Sequence, residues 1–133
     1  MILKKGFTLI ELLITAFILS AGIVTVLAIF PISSHIIKSG EMVTTAVLLS
    51  QGKLEELTSK SYEEIFSLTE DYGQINGFEA YKRVTDVQYY DPKTSTVTTT
   101  DMGIKQVKVT VSWKSPFGSL EKSTYLANLI AER

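Results

Sequence analysis

At 133 residues, part of them taken up by one long apolar stretch, the chain has room for a single small domain outside that stretch. A formal net charge of −1 with scattered basic residues excludes the concentrated positive surface that a phosphate backbone demands, so no direct nucleic-acid partner is expected. The absence of cysteine excludes a disulfide framework and a thiolate metal site, and leaves the redox compartment unread.

Hydrophobic residues make up 45% of the chain and are richest from Phe7 to Ile37. After Glu11 no charged side chain occurs until Lys38. A hydrocarbon core of roughly 30 Å takes about 20 apolar residues at about 1.5 Å each, so a helix from Leu12 to Ile37 is long enough to span it. A secretory signal peptide has an apolar region of about 7 to 15 residues followed by a small-residue cleavage site, and this run is too long for one. Lys4 and Lys5 stand just ahead of it, and positive charge stays on the cytoplasmic side. The expected topology is a single pass through the inner membrane, N-terminus cytoplasmic and C-terminal domain periplasmic or otherwise extracytoplasmic.

A plain anchor does not explain Glu11. A carboxylate in a spanning helix costs on the order of 2.5 to 3.5 kcal/mol on insertion scales, and such a group usually has a partner. Cleavage after Gly6 would create a new amino terminus at Phe7, one helical turn from Glu11 at i+4, whose ammonium could pair with the carboxylate in the same or a neighbouring chain.

The run Lys4-Lys5-Gly6-Phe7-Thr8-Leu9-Ile10-Glu11-Leu12-Leu13 resembles the class III leader and cleavage motif of type IV prepilins and type II secretion pseudopilins. The resemblance implies that a prepilin peptidase cuts between Gly6 and Phe7 and N-methylates Phe7, and that Glu11 sets the axial register between neighbouring subunits. Processing would remove two lysines and take the formal side-chain charge from −1 to −3. A glycine before the cut lets a protease draw the backbone close, because it has no Cβ.

Pro31 interrupts the helical pattern by removing one backbone hydrogen bond and crowding the preceding turn, so a helix kink or a locally melted stretch is expected there. His35, the only histidine, marks the membrane interface rather than a ligand site. Beyond Lys38, Val43, Val47, Leu54 and Leu57 recur at helical spacing among polar residues, which makes the second half of the helix amphipathic. Glu56 and Lys60 form a favourable i,i+4 pair, and the helix is expected to end near 58–60. Ser61-Tyr62-Glu63-Glu64 reads as a capping box that opens a short second helix.

Asp71, Gly73, Asn76 and Gly77 mark a turn-rich connection from 70 to 77. A strand is expected within 78–90, on β-branched and aromatic content. The segment from Asp91 to Gly103, with Asp91-Pro92 and a run of Ser and Thr, reads as a long polar loop with room for an edge strand. Val107, Val109, Val111 and Trp113 alternate with Gln106, Lys108, Thr110 and Ser112, the period-two signature of a half-buried strand. Ser115-Pro116-Phe117-Gly118 reads as a turn, and 120–129 as the return strand of an antiparallel hairpin.

The resulting fold class is α+β: a long N-terminal helix, half transmembrane and half amphipathic, packed on a three- or four-stranded antiparallel sheet in a pilin-like lollipop. The expected divisions are a leader over 1–6, the transmembrane half of the helix over 7–37, the amphipathic end plus short second helix over 38–66, and a β-sheet region over 67–133. The last two pack as one globular domain, with Trp113 and the valines set against Val43, Val47, Leu54 and Leu57.

No constellation for catalysis appears. Nucleophilic chemistry needs an activated Ser, Cys or Thr beside a base, and Ser112, Ser115 and Ser119 sit at a turn where serine is common for hydrogen-bonding reasons alone. Asp86, Asp91 and Asp101 lack the alternating spacing of a calcium loop. Some related major pseudopilins hold calcium in a C-terminal loop, and Asp101-Met102-Gly103 is the one comparable spot, too little to assign a site. No enzyme activity, metal or cofactor is expected.

Two further stretches bear on subtype. The segment from Ala46 to Leu57 resembles the helix end of I-type minor pseudopilins and of minor pilins of pilus assembly, and the segment from Val107 to Trp113 resembles their characteristic strand. The paired cysteines that close a C-terminal loop in many major pilins are missing. The resemblance therefore implies a minor subunit acting at the filament tip or in assembly initiation, in a type IV pilus or a type II secretion pseudopilus. Its partners would be prepilin peptidase, other pilin or pseudopilin subunits and the inner-membrane assembly platform. The alternative is a single-pass, membrane-anchored extracytoplasmic binding module that is not polymerised, and cleavage at Gly6 separates the two.

Overall fold

The structure, a computed structural model, describes residues 6–115, 118 and 120–132. Lys4 and Lys5, the leader residues before Gly6, and Pro116, Phe117 and Ser119 of the expected turn lie outside the described residues. The element order is α1 (Leu9–Ser59), a 3-10 turn (Tyr62–Glu64), β1 (Leu68–Glu70), β2 (Tyr81–Asp91), β3 (Thr96–Thr98), β4 (Ile104–Lys114) and β5 (Glu121–Ala131). The chain divides into two compact units, one reaching to Lys38 and the other from Ser39 onward.

In the first unit every described side chain from Gly6 to Lys38 is exposed, including Phe17, Leu19, Ile29 and Phe30. A helix apolar all round with nothing packed on it is suited to lipid or to other helices, not to water. α1 contains the one helix segment, among the described residues, long and apolar enough to cross a membrane. Its hydroxyls are compatible with that solvent, because each bonds a carbonyl about one turn back. Thr15 Oγ1 donates to the Glu11 carbonyl at 2.7 Å, Thr25 Oγ1 to Ala21 at 2.8 Å, and Ser33 and Ser34 Oγ to Ile29 and Phe30 at 3.2 Å each. The helical assignment runs on through Pro31 without a break.

The second unit contains the core. β2, β4 and β5 are eleven residues each and pair antiparallel in the order β2-β4-β5, with Thr85 opposite Val109 and Val109 opposite Leu126. The alternation expected of β4 is realised: Val107, Val109, Val111 and Trp113 are buried, while Lys108 is exposed and Gln106, Thr110 and Ser112 are half-buried. The sheet has five strands rather than three or four, because β1 and β3, three residues each, both pair with the free side of β2. β1 lies opposite Arg83, Val84 and Thr85, and β3 opposite Tyr89, Tyr90 and Asp91. Between them the Val87 N–H donates to Ser67 Oγ at 2.9 Å, so a serine stands in for the missing strand neighbour.

The C-terminal half of α1 covers the inner face of this sheet, but in a different phase from the one expected. The buried positions are Ala46, Ser50, Lys53 and Leu57, with Met42, Leu49 and Leu54 partly buried beside them. Val43 is turned away and 41% exposed, and Val47 is only half-buried. Ala46 lies in one core cluster with Val107, Val109 and Val111, and Ser50, one turn on, is as fully buried, while Val43 stays outside it. Ser50 Oγ keeps itself satisfied by donating to the Ala46 carbonyl at 2.9 Å. Two bonds from β2 reach the helix backbone, Tyr81 Oη to the Met42 carbonyl at 3.4 Å and Arg83 Nη1 to the Leu49 carbonyl at 3.3 Å.

α1 ends at Ser59, where the hydroxyls of Thr58 and Ser59 take the carbonyls of Leu54 and Glu56. Glu56 is gripped by both Lys60 at 2.8 Å and Lys53 at 2.9 Å, which together hold its carboxyl down to about 2. The expected capping box does not form. Ser61 precedes a single 3-10 turn and makes no side-chain cap, and Glu64 N–H reaches the Ser61 backbone carbonyl instead. Three residues are too few for the second helix, because Ile65 must turn inward to be buried.

Loops follow the turn chemistry of their residues. Gly73 and Gly77 both take positive φ in the connection into β2, and Gln74 Oε1 accepts from the Asp71 N–H at 2.7 Å. The polar segment after β2 carries β3 as a short edge strand, closed by Asp91 Oδ1 accepting from the Lys93 N–H at 2.8 Å.

Candidate processing and assembly site

The first turn of α1 sets the geometry of the N-terminal motif. The Thr8 carbonyl accepts from the Leu12 N–H at 3.2 Å, and Thr8 Oγ1 accepts from the Glu11 N–H at 3.3 Å. Thr8 is thus the N-cap, Leu9 the first helical residue and Glu11 the third. Threonine followed three residues later by glutamate is the signature of a capped helix start, a signal present at Thr8 and Glu11 that the reading of this segment as a membrane anchor passed over.

Gly6 and Phe7 lie ahead of the cap, outside the helix and exposed, Phe7 by 83%. A Cβ added at Gly6 would meet nothing within 4 Å, and Gly6 does not adopt a positive φ. Among the described residues, packing therefore places no demand for glycine here. A requirement for Gly6 must come from whatever reads the peptide.

Glu11 is exposed in the first turn, where the positive end of the helix dipole favours a carboxylate. Among the described residues no side chain donates to that carboxylate. Its backbone is fully used, by Thr8 Oγ1 at the N–H and by Thr15 Oγ1 at the carbonyl. Phe7, Glu11 and the cap between them are assembled by one turn of chain. Pro31 stands apart from them, farther along the same helix.

The second unit holds a separate cluster that sequence reasoning missed. Lys105 is buried at the start of β4, donating to the carbonyls of Tyr62 at 2.7 Å and Ile65 at 3.1 Å while its ammonium lies 4.2 Å from the Tyr62 ring centre. Tyr62 Oη donates to Asp101 Oδ1 at 2.7 Å, and the same oxygen accepts from the Gly103 N–H at 2.9 Å. Burial, then the Asp101 carboxylate, push the Tyr62 hydroxyl above its ordinary value, and the Tyr62 and Gly103 bonds hold Asp101 below its own. These contacts tie the 3-10 turn to the β3–β4 connection. Asp86 and Asp91 are each engaged locally, with Gln88 and Lys93. Among the described residues no three His, Cys, Asp or Glu gather into a metal-binding group.

An open groove of about 900 Å³ runs between β1 and β3, lined by residues that include Phe66, Val87, Val97 and Lys105. None of the residues singled out in the N-terminal motif lies in it.

A capped, apolar helix with a carboxylate in its first turn, continuing into a helix that covers an antiparallel sheet, defines an α+β fold of pilin-like architecture, consistent with a single-pass membrane anchor. Residues 1–29 match the family model described as the prokaryotic N-terminal methylation motif. The chain carries the signature of type IV pilins and pseudopilins, which implies processing by prepilin peptidase and assembly with other pilins. No curated protein and no solved structure gives a significant match to the chain.

Proposed function

We propose that this chain is the precursor of a minor pilin or minor pseudopilin, cut between Gly6 and Phe7, N-methylated at Phe7, and built into a type IV pilus or type II secretion pseudopilus at the tip or during initiation. The match over residues 1–29 carries the processing step. The assembly step is supported by Glu11, a carboxylate in an apolar helix, one turn from the future amino terminus and with no side-chain donor among the described residues. In lipid such a group needs a counter-charge, and a neighbouring subunit's Phe7 ammonium supplies one while fixing the axial offset between two helices.

The exposed apolar surface of α1 to Ile37 is the packing surface this reading requires, toward lipid before assembly and toward other subunits' helices afterwards. The minor-subunit assignment rests on the likeness of the segments from Ala46 to Leu57 and from Val107 to Trp113 to minor subunits. Function is then assembly on the inner-membrane platform, with the domain extracytoplasmic and no catalytic turnover. The test is the intact mass of the protein purified from membranes, with and without co-expressed prepilin peptidase. A chain beginning at Phe7 with one added methyl group is expected. Retention of residues 1–6 in both conditions overturns the reading in favour of an anchored binding module.

A further inference from the structure

We infer that Thr8 is a positioning residue for the cleavage reaction, acting from the substrate side: its hydroxyl ends α1 at Leu9 and holds the Gly6–Phe7 peptide outside the helix. The inference rests on the processing reading above. A peptidase takes its substrate as open backbone, and a peptide bond wound into a helix must first be lifted out of its hydrogen bonds. Here the first helical acceptor is the Thr8 carbonyl, so the carbonyls of Gly6 and Phe7 precede the helical ladder.

The other hydroxyls of the apolar segment show that this is not the default behaviour of the residue type. Thr15, Ser20, Thr25, Ser33 and Ser34 all donate backward to a carbonyl, as hydroxyls in a helix do. Thr8 alone of these accepts forward, from the Glu11 N–H. Without that acceptor the Glu11 N–H loses its partner in a solvent that cannot supply another. The helix start then moves toward the aqueous side, over Phe7 and Gly6, opposed mainly by the poor helix propensity of glycine. Extension also carries Glu11 out of the first turn and away from the dipole end that favours its charge.

The experiment measures removal of residues 1–6 from the full-length chain in membranes by prepilin peptidase, comparing Thr8→Val, near in shape but without an acceptor, with Thr8→Ser, which caps. Thr8→Val is expected to lower kcat/KM about tenfold, the equivalent of about 1.4 kcal/mol, while Thr8→Ser stays near the parent rate. Amide hydrogen exchange at Ile10 should slow in Thr8→Val, because in the extended helix its N–H gains the Gly6 carbonyl one turn back. Cleavage of Thr8→Val at the parent rate overturns the inference. So does equal loss in Thr8→Ser, which would mean that the peptidase reads the threonine methyl directly. Failure of the parent chain to be cut sinks the processing reading itself.

Discussion

Arg83 on β2 holds Glu70 on β1 through two parallel bonds, Nε to Oε2 and Nη2 to Oε1, each 2.6 Å. Both side chains are largely buried, and Arg83 also reaches the Leu49 carbonyl of α1, so this one pair joins the three-residue strand β1, the sheet and the helix. The Arg83 bonds hold the Glu70 carboxyl below its ordinary value, against burial, which pushes it up.

Removing the carboxylate with Glu70→Gln leaves the guanidinium half-paired and should destabilise the domain by about 2 kcal/mol. Because the folded value is depressed, the contribution is fully present above the ordinary carboxylate value of about 4.3 and is lost as pH falls through the lower folded value. Chemical denaturation of parent and variant between neutral pH and pH 2 should therefore converge on acidification. A constant gap between them across that range would rule out the pair as its source. Glu56, although held near 2, is close to half exposed, and solvent screening leaves it a minor part of the acid response.

Trp113 is 2% exposed and packs at a tilt against Tyr81, ring centres 6.4 Å apart. Trp113→Ala opens a cavity at the end of the β4 core row and should cost roughly 3 to 5 kcal/mol. An unchanged denaturation midpoint would contradict the burial seen here. Val43→Ala, on the exposed side of α1, is expected to shift stability by less than about 0.5 kcal/mol.

Glu11→Ala should leave membrane insertion and cleavage at Gly6 largely intact, since the carboxylate accepts no side-chain hydrogen bond among the described residues and Thr8 caps through the Glu11 backbone N–H. Incorporation into filaments, measured by shearing and immunoblotting, should fall severely. Normal incorporation would remove the register role.

Gly6→Ala meets no neighbour within 4 Å and needs no positive φ, so folding and insertion should be unaffected. Any drop in cleavage then reports the peptidase's own pocket, and a larger residue such as Leu at Gly6 should be cut more slowly than Ala. Equal cutting of all three by purified peptidase would mean that glycine is not read sterically.

Local patterns carried much of the fold. The alternation of Val107 to Trp113 survives because β4 is central, paired on both sides, and has no freedom to slip register without exposing every valine. The pairing of Glu56 with Lys60 and the end of α1 at Ser59 were equally legible, being decided within one turn of chain. Ser61 failed as a capping residue because Ile65, four positions on, is drawn into the core and cuts the helix to three residues. Thr8 was legible and passed over, its capping spacing hidden inside a segment whose hydrophobicity had already explained it.

By itself the sequence determined the long apolar helix, the N-terminal methylation motif and the strand that forms the centre of the sheet, because each depends on neighbours within a few residues or on the solvent a run of side chains demands. Only the tertiary structure decided which face of α1 meets the sheet, and why Lys105 is buried. The buried face of α1 runs through Ala46, Ser50, Lys53 and Leu57, and not through the more apolar Val43 and Val47. Lys105 is buried because carbonyls 43 and 40 residues away in sequence, at Tyr62 and Ile65, are brought within reach of its ammonium, and Arg83 finds Glu70 and Leu49 in the same way. No local pattern encodes those distances. They exist only once the chain has closed on itself and burial has made an unsatisfied charge too costly to leave.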